Sequence, residues 1–293
     1  MLFFHFNRKR AKAFMRFWRM YRTNKFGMTG LFILVVFVFM ALYADSVAWA
    51  LGYNFKETAA AIASIGTIEP KALLAALIFG SRISLTVGMV ASVCAVGLGT
   101  LVGIAAGYLG GMVDEVLMRI TDFIMMLPRL PLLIVIAAVV GKGAAIGLHN
   151  LILVIALLGW TGTARVVRAQ TLSLKVRAFV EAARAVGASD RYILLRHILP
   201  NVMPLVFTYM VLGVPGAILA EANLTFLGLG VKVEENISWG AILYWSHQLG
   251  ATLYTTMPWV VIPPGLCITF LTFSTVLIGY AMDEILNPRL RAR

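Results

Sequence analysis

Side chains able to do covalent or metal chemistry are sparse in this chain, and their spacing keeps them apart. The four histidines, His5, His149, His197 and His247, are far from one another in sequence and fall on different sides of the membrane in the topology set out below. Cys94 and Cys267 each sit inside an apolar run with no metal-ligand spacing, so they read as lipid- or core-facing residues without a disulfide. No Gly-x-Ser-x-Gly elbow is present. No Gly-x-x-x-x-Gly-Lys-[Ser/Thr] phosphate loop occurs either, and the nearest run, Gly141-Lys142-Gly143, lies on the expected outer side. No catalytic, metal or cofactor-binding residue is assigned.

One segment is instead suited to mechanical work, namely Ala178-Phe179-Val180-Glu181-Ala182-Ala183-Arg184-Ala185-Val186-Gly187-Ala188-Ser189-Asp190-Arg191. Phe179 to Val186 consists largely of good helix formers with small side chains. Gly187 is free to take the positive φ that ends many helices. Ser189 or Asp190 can cap a second helix from Arg191 through Ile198 to Pro200. Surface alanines would let a partner approach closely, and Glu181 offers it a fixed acceptor. An amphipathic linker lying on lipid headgroups fits the same composition.

These residues are positioned by elements that belong to a membrane. The chain has 293 residues, of which 60% are hydrophobic and only 13% charged. Soluble domains are about 45–50% apolar and about 25% charged, and the mean hydropathy here is +0.89. Apolar runs near 26–44, 83–108, 120–140, 150–164, 202–222 and 257–282 predict six membrane-spanning helices of an all-α, polytopic protein. A cleaved signal peptide fits the start poorly, because the basic arm and the first apolar run are both too long.

Charge placement gives the orientation. Basic residues crowd the first 25 positions, the 165–201 loop and the tail, whereas 221–257 carries Lys232 against Glu221, Glu234 and Glu235. The positive-inside rule puts both termini and the 165–201 loop in the cytoplasm. The net charge of +12 thus belongs to the membrane lipid surface, and no nucleic-acid partner is expected. Most tryptophans fall near span ends, and Trp160 lies deeper. Arg119 and Asp122, three apart on a helix, predict a local ion pair.

Small residues recur every fourth position in the second run, at Ala91, Ala95, Gly99, Gly103, Gly107 and Gly111. This face, centred on Gly99, Gly103 and Gly107, lets another helix backbone come close, either at a mobile interface or within one bundle. Prolines 128, 131, 215, 263 and 264 remove backbone donors at membrane depth, which needs protein or water nearby. Strongly charged residues are nearly absent from the runs, so proton- or sodium-coupled transport is not expected. Residues alone support a six-span membrane protein with a structured basic cytoplasmic loop.

Glu181-Ala182-Ala183, then Gly187, then Leu199-Pro200, resembles the EAA loop of ABC importer permeases. His197 stands where the general pattern has isoleucine, as in the dipeptide/oligopeptide/nickel branch. Gly80-Ser81-Arg82-Ile83-Ser84-Leu85, Gly107-Tyr108-Leu109-Gly110-Gly111-Met112-Val113-Asp114-Glu115, Leu224-Thr225-Phe226-Leu227-Gly228-Leu229-Gly230 with Ser238-Trp239-Gly240, and Asn287-Pro288-Arg289-Leu290 are similar to further motifs of that branch. The basic arm and single span before the core resemble its C-type subunit. Only Gly66-Thr67 survives of the motif usual before the second span.

The resemblance implies a type I importer permease without catalysis of its own. Its expected partners are a second homologous permease, two cytoplasmic ATPases that bind ATP and Mg, and an external solute-binding protein. It assigns Glu181, Ala182, Ala183, Gly187 and Asp190 to an ATPase-coupling loop. The expected layout is a cytoplasmic arm (1–25), a first transmembrane helix (26–50), an external segment (51–82), a five-helix core (83–282) and a cytoplasmic tail (283–293). Within the core lie the coupling loop (165–201) and an external loop (221–257) open to the binding protein. The implied location is a bacterial or archaeal cell membrane. Di- or oligopeptides are the implied cargo, with oligosaccharides or nickel as alternatives, and a secondary transporter or membrane scaffold as readings of other classes.

Overall fold

The computed structural model describes residues 15, 18–63, 69–232, 235–248 and 258–286. The start of the basic arm with His5, the divergent Gly66-Thr67 region, Glu234 and the Asn287–Leu290 motif lie outside the described residues. All regular structure among the described residues is helical. Four stretches are long and apolar enough to cross a membrane unbroken: α1 (Lys25–Leu42), α4 (Pro70–Leu109), Asp190–Phe226, which ends in α11 (Leu199–Phe226), and most of α13 (Pro258–Leu286). Two further crossings are bent pairs. α5 (Gly111–Met126) meets α6 (Arg129–Val140) at 95°, and α7 (Leu148–Gly159) meets α8 (Thr161–Lys175) at 44°.

These breaks revise the expected spans. The third run is no single straight helix, because Pro128, with φ and ψ in the extended region, separates α5 from α6. The residue before a proline is itself pushed from helical toward extended geometry, as Leu127 is. The fourth run looked short because Trp160 divides it, and α8 carries the crossing on to Lys175. The second run gains thirteen residues at its start, since Pro70 opens the helix. At 40 residues and ~1.5 Å per residue, α4 is roughly 60 Å long, about twice a bilayer's hydrocarbon core.

α4 is the central post, packed on α1, α7, α8 and α11. A Cβ at Gly99 would lie 2.5 Å from the Trp160 carbonyl oxygen, one at Gly103 2.5 Å from that of Ala164, and one at Gly107 2.8 Å from Thr171 Cβ. The glycine face therefore packs inside the bundle, against α8. Contacts advance along both helices in the same sense, so α4 and α8 run parallel and the chain returns between them through α5–α6. Two ion pairs bind that return to α8. Arg168 grips Asp114 through Nε and Nη2, the latter at 2.6 Å, and Arg165 holds Asp122 at 2.7 Å. The expected Arg119–Asp122 pair does not form. Arg119 is exposed, and among the described residues it makes no ion pair.

At one end of α4, Phe37, Leu73, Phe79, Trp239 and Leu271 build a core shared by α1, α13 and the short helix α12 (Trp239–Gln248). Short α2 (Ala44–Ala50) and α3 (Phe55–Ala63) cover it. At the other end Tyr108, Leu174, Val180, Ile193 and Val202 form a second core beneath α9 (Ala178–Ala185) and α10 (Asp190–Ile193). Large apolar side chains such as Phe32, Phe39, Met126, Val139 and Phe273 remain exposed on outer helix faces. Such continuous apolar surface suits lipid or another membrane helix rather than water.

Candidate coupling surface and interior polar groups

The coupling segment is built by local rules. α9 is anchored by Val180, which is fully buried, while Glu181 and Ala182 on the same turn are exposed. Burying one valine contributes about 1.5–3 kcal/mol, enough to seat a helix of eight residues that would be marginal alone. Its end is a Schellman motif. The Gly187 N–H donates to the Arg184 carbonyl and the Ala188 N–H to that of Ala183, both at 3.0 Å, with Gly187 at φ 83°. Ala183 and Ala188 pack together on the core below. The Ser189 hydroxyl then accepts the Tyr192 N–H at 3.4 Å and starts α10. A π-helical turn, Leu194–Ile198, leads into α11.

Asp190 has a defined partner. Its carboxylate accepts the Tyr108 hydroxyl at 2.6 Å, and Lys175 Nζ donates to the Tyr108 carbonyl at 2.6 Å. The turn after Gly187 is thereby tied to the last residues of α4 and α8. His197 lies between the rings of Phe179 and Tyr192, at 6.0 and 5.7 Å. Of the five proposed contact residues, Glu181 and Ala182 face outward, Ala183 packs inward, and Gly187 and Asp190 set the turn.

Interior polar groups escaped the sequence reading. Glu221 does not sit in a solvated external loop. It is fully buried, accepting from Ser84 at 3.2 Å and Thr225 at 3.0 Å, with Ser238 as a third partner. Trp239 is likewise no headgroup residue: it is fully buried, and its ring N–H donates to the Leu77 carbonyl at 2.9 Å. Ser84 also accepts the Trp239 N–H at 3.4 Å. One carboxyl therefore joins α4, α11 and the start of α12. The Ser84 and Ser238-Trp239 motifs quoted above meet here, which is the signal that links them.

Arg129 is the other missed residue. It stands between Pro128 and Pro131 inside the third apolar run, a position that alone flags an intramembrane cation. Its guanidinium reaches between Gly159 and Gly216, where added Cβ atoms would lie 3.9 and 3.4 Å from Nη2 and Nη1. It lines a cavity of about 250 Å³ between α4, α6, the α7–α8 bend and α11. Trp160 sits at that bend, 8% exposed, which accounts for its depth. Among the described residues no three His, Cys, Asp or Glu side chains gather as a metal site, and both cysteines are free thiols.

Residues 99–292 match the family described as "Binding-protein-dependent transport system inner membrane component". Residues 13–63 match "N-terminal TM domain of oligopeptide transport permease C". The oligopeptide transport system permease protein OppC of Haemophilus influenzae is 35% identical over 271 residues, 88% of this chain and 84% of its own length. The dipeptide transport system permease protein DppC of Bacillus subtilis is 32% identical over 280 residues, 94% and 85% of the two lengths. The glutathione transport system permease protein GsiD of Escherichia coli is 31% identical over 286 residues, 94% and 90%.

Proposed function

This chain belongs to the binding-protein-dependent transport system inner membrane component family, and from that premise we propose that it is the C-type permease subunit of an ATP-driven peptide importer. The observation that carries the reading is similarity along nearly the whole chain to permeases named for oligopeptides, dipeptides and glutathione. The match of residues 13–63 to the N-terminal domain of an oligopeptide permease C supports the C-type assignment. Peptide is accordingly the cargo class, ahead of oligosaccharide or nickel.

In this reading the chain performs no catalysis. ATP and Mg bind two separate cytoplasmic ATPases, a second homologous permease completes the path, and an external solute-binding protein delivers the peptide. Both termini and α9 face the cytoplasm, following the distribution of Lys and Arg. Glu181 and Ala182 meet the ATPase, while Ala183, Gly187 and Asp190 hold the helix that carries them. Closure of the ATPases would push α9, and the Tyr108–Asp190–Lys175 links would pass that push to α4 and α8. The two arrangements, open outward or inward, form an equilibrium that nucleotide and loaded binding protein both bias.

Affinity purification from the native membrane in mild detergent tests the assembly. A second permease and two kinds or copies of ATPase are expected to co-purify with the tagged chain. Recovery of the chain alone, or only with itself, would count against an importer and favour a secondary transporter or scaffold.

A further inference from the structure

We propose that Arg129, which is exposed in this chain and lines a cavity of the helix bundle, forms a carboxylate-binding subsite that receives the free carboxyl end of a peptide during passage. The assignment of peptide to the cargo rests on the function proposed above; the existence of the subsite rests on the geometry alone. Arginine keeps its charge in proteins and presents a planar fork of donors matched to carboxylate oxygens. Among the described residues, Arg129 makes no hydrogen bond or ion pair. An unpaired cation at membrane depth is costly, and such residues ordinarily face a partner or a water-filled path.

The surroundings are shaped for a visitor. Gly159 and Gly216 flank the guanidinium, and a Cβ at either would come into van der Waals contact with it, at 3.9 and 3.4 Å. A Cβ at Gly162, on the same cavity, would meet nothing within 4 Å. Ser92 already donates its hydroxyl proton to the Met210 carbonyl at 2.7 Å, so it can only accept from a guest. Tyr209 lines the cavity with no hydrogen-bond partner among the described residues, leaving a hydroxyl for a peptide carbonyl or N–H. Among the described residues no acidic side chain lines the cavity, which leaves the guanidinium open to an incoming carboxylate.

The helix break adds to the field. Arg129 is the first residue of α6, whose N-cap Pro128 supplies no side-chain acceptor. Broken helices in transporters aim such N-terminal ends at anionic cargo. The site needs only transient occupancy, since a path must release what it binds. One charge-assisted pair of this kind is compatible with release, whereas a fully desolvated cage would trap the cargo.

Two measurements on the assembled transporter test the proposal. In proteoliposomes with the binding protein, Arg129→Gln should slow uptake of trialanine about tenfold, the loss of one charge-assisted contact, and Arg129→Lys should restore part of it. Uptake of trialanine amide should change little. An equal loss for both peptides, or none for either, overturns the proposal. Independently of transport, phenylglyoxal should modify Arg129 in the wild-type complex, read by mass spectrometry. Trialanine should protect the residue, while trialanine amide and inorganic phosphate should not. Absence of modification, protection by the amide, or equal protection by phosphate overturns a carboxylate subsite. Protection by trialanine in a complex that transports no peptide would retain the subsite and refute the peptide importer, so the two failures are separable.

Discussion

Gly187→Val is expected to reduce ATP-driven transport by about tenfold or more while the chain still inserts and accumulates normally. No atom lies within 4 Å of the added Cβ, so the effect comes from the backbone alone. At φ 83° an L side chain costs ~1–2 kcal/mol, more when β-branched, which is about a tenfold shift between turn geometries. Relief of that strain has a cost in hydrogen bonds: giving up the left-handed turn breaks the Gly187–Arg184 and Ala188–Ala183 bonds and displaces Asp190, at the start of α10, from Tyr108. Gly187→Asn is the control, because asparagine tolerates this conformation and should retain most transport. Uptake assays on membranes with matched amounts of chain decide the matter. Normal transport in the valine variant would remove Gly187 from the coupling device.

Glu221→Ala should be the most destabilising single substitution in the interior. It strips the acceptor from Ser84, Thr225 and Ser238 at a fully buried point. Each orphaned buried hydroxyl costs about 1–3 kcal/mol, so a loss of several kcal/mol is expected. It also leaves a cavity where the carboxyl was. Glu221→Gln keeps an acceptor and the side-chain volume and should lose much less. Thermal unfolding of the detergent-purified protein, followed by retention of monodisperse material, separates the two. An alanine variant as stable as wild type would show that Glu221 does not hold α4, α11 and α12 together.

What was legible in the sequence was local. Helix formers, a glycine and a serine within a dozen residues specify α9, its Schellman end and the capped start of α10, and all three form as the spacing predicts. The glycine ladder announced a close approach, yet its partner α8 could be named only from the fold, since nothing in α4 encodes which backbone comes near. Asp122 shows the same limit: Arg119 is its neighbour on the helix, but Arg165, 43 residues away, is its partner. Glu221 reads as the start of an acidic loop until Ser84, 137 residues earlier, is brought beside it. Prolines 128 and 131 signalled a disturbed helix, whereas a 95° turn depends on what packs on either side. Arg129 went unread although it stands alone as a cation between two prolines of an apolar run, and only the fold shows the cavity it lines.

The most direct test of the central claim is uptake of labelled trialanine by proteoliposomes containing this chain with its co-purified subunits and binding protein. Uptake that requires ATP and the binding protein, and stops when either is withheld, is the predicted result. Uptake that persists without ATP, or that follows a proton or sodium gradient instead, would contradict the importer account.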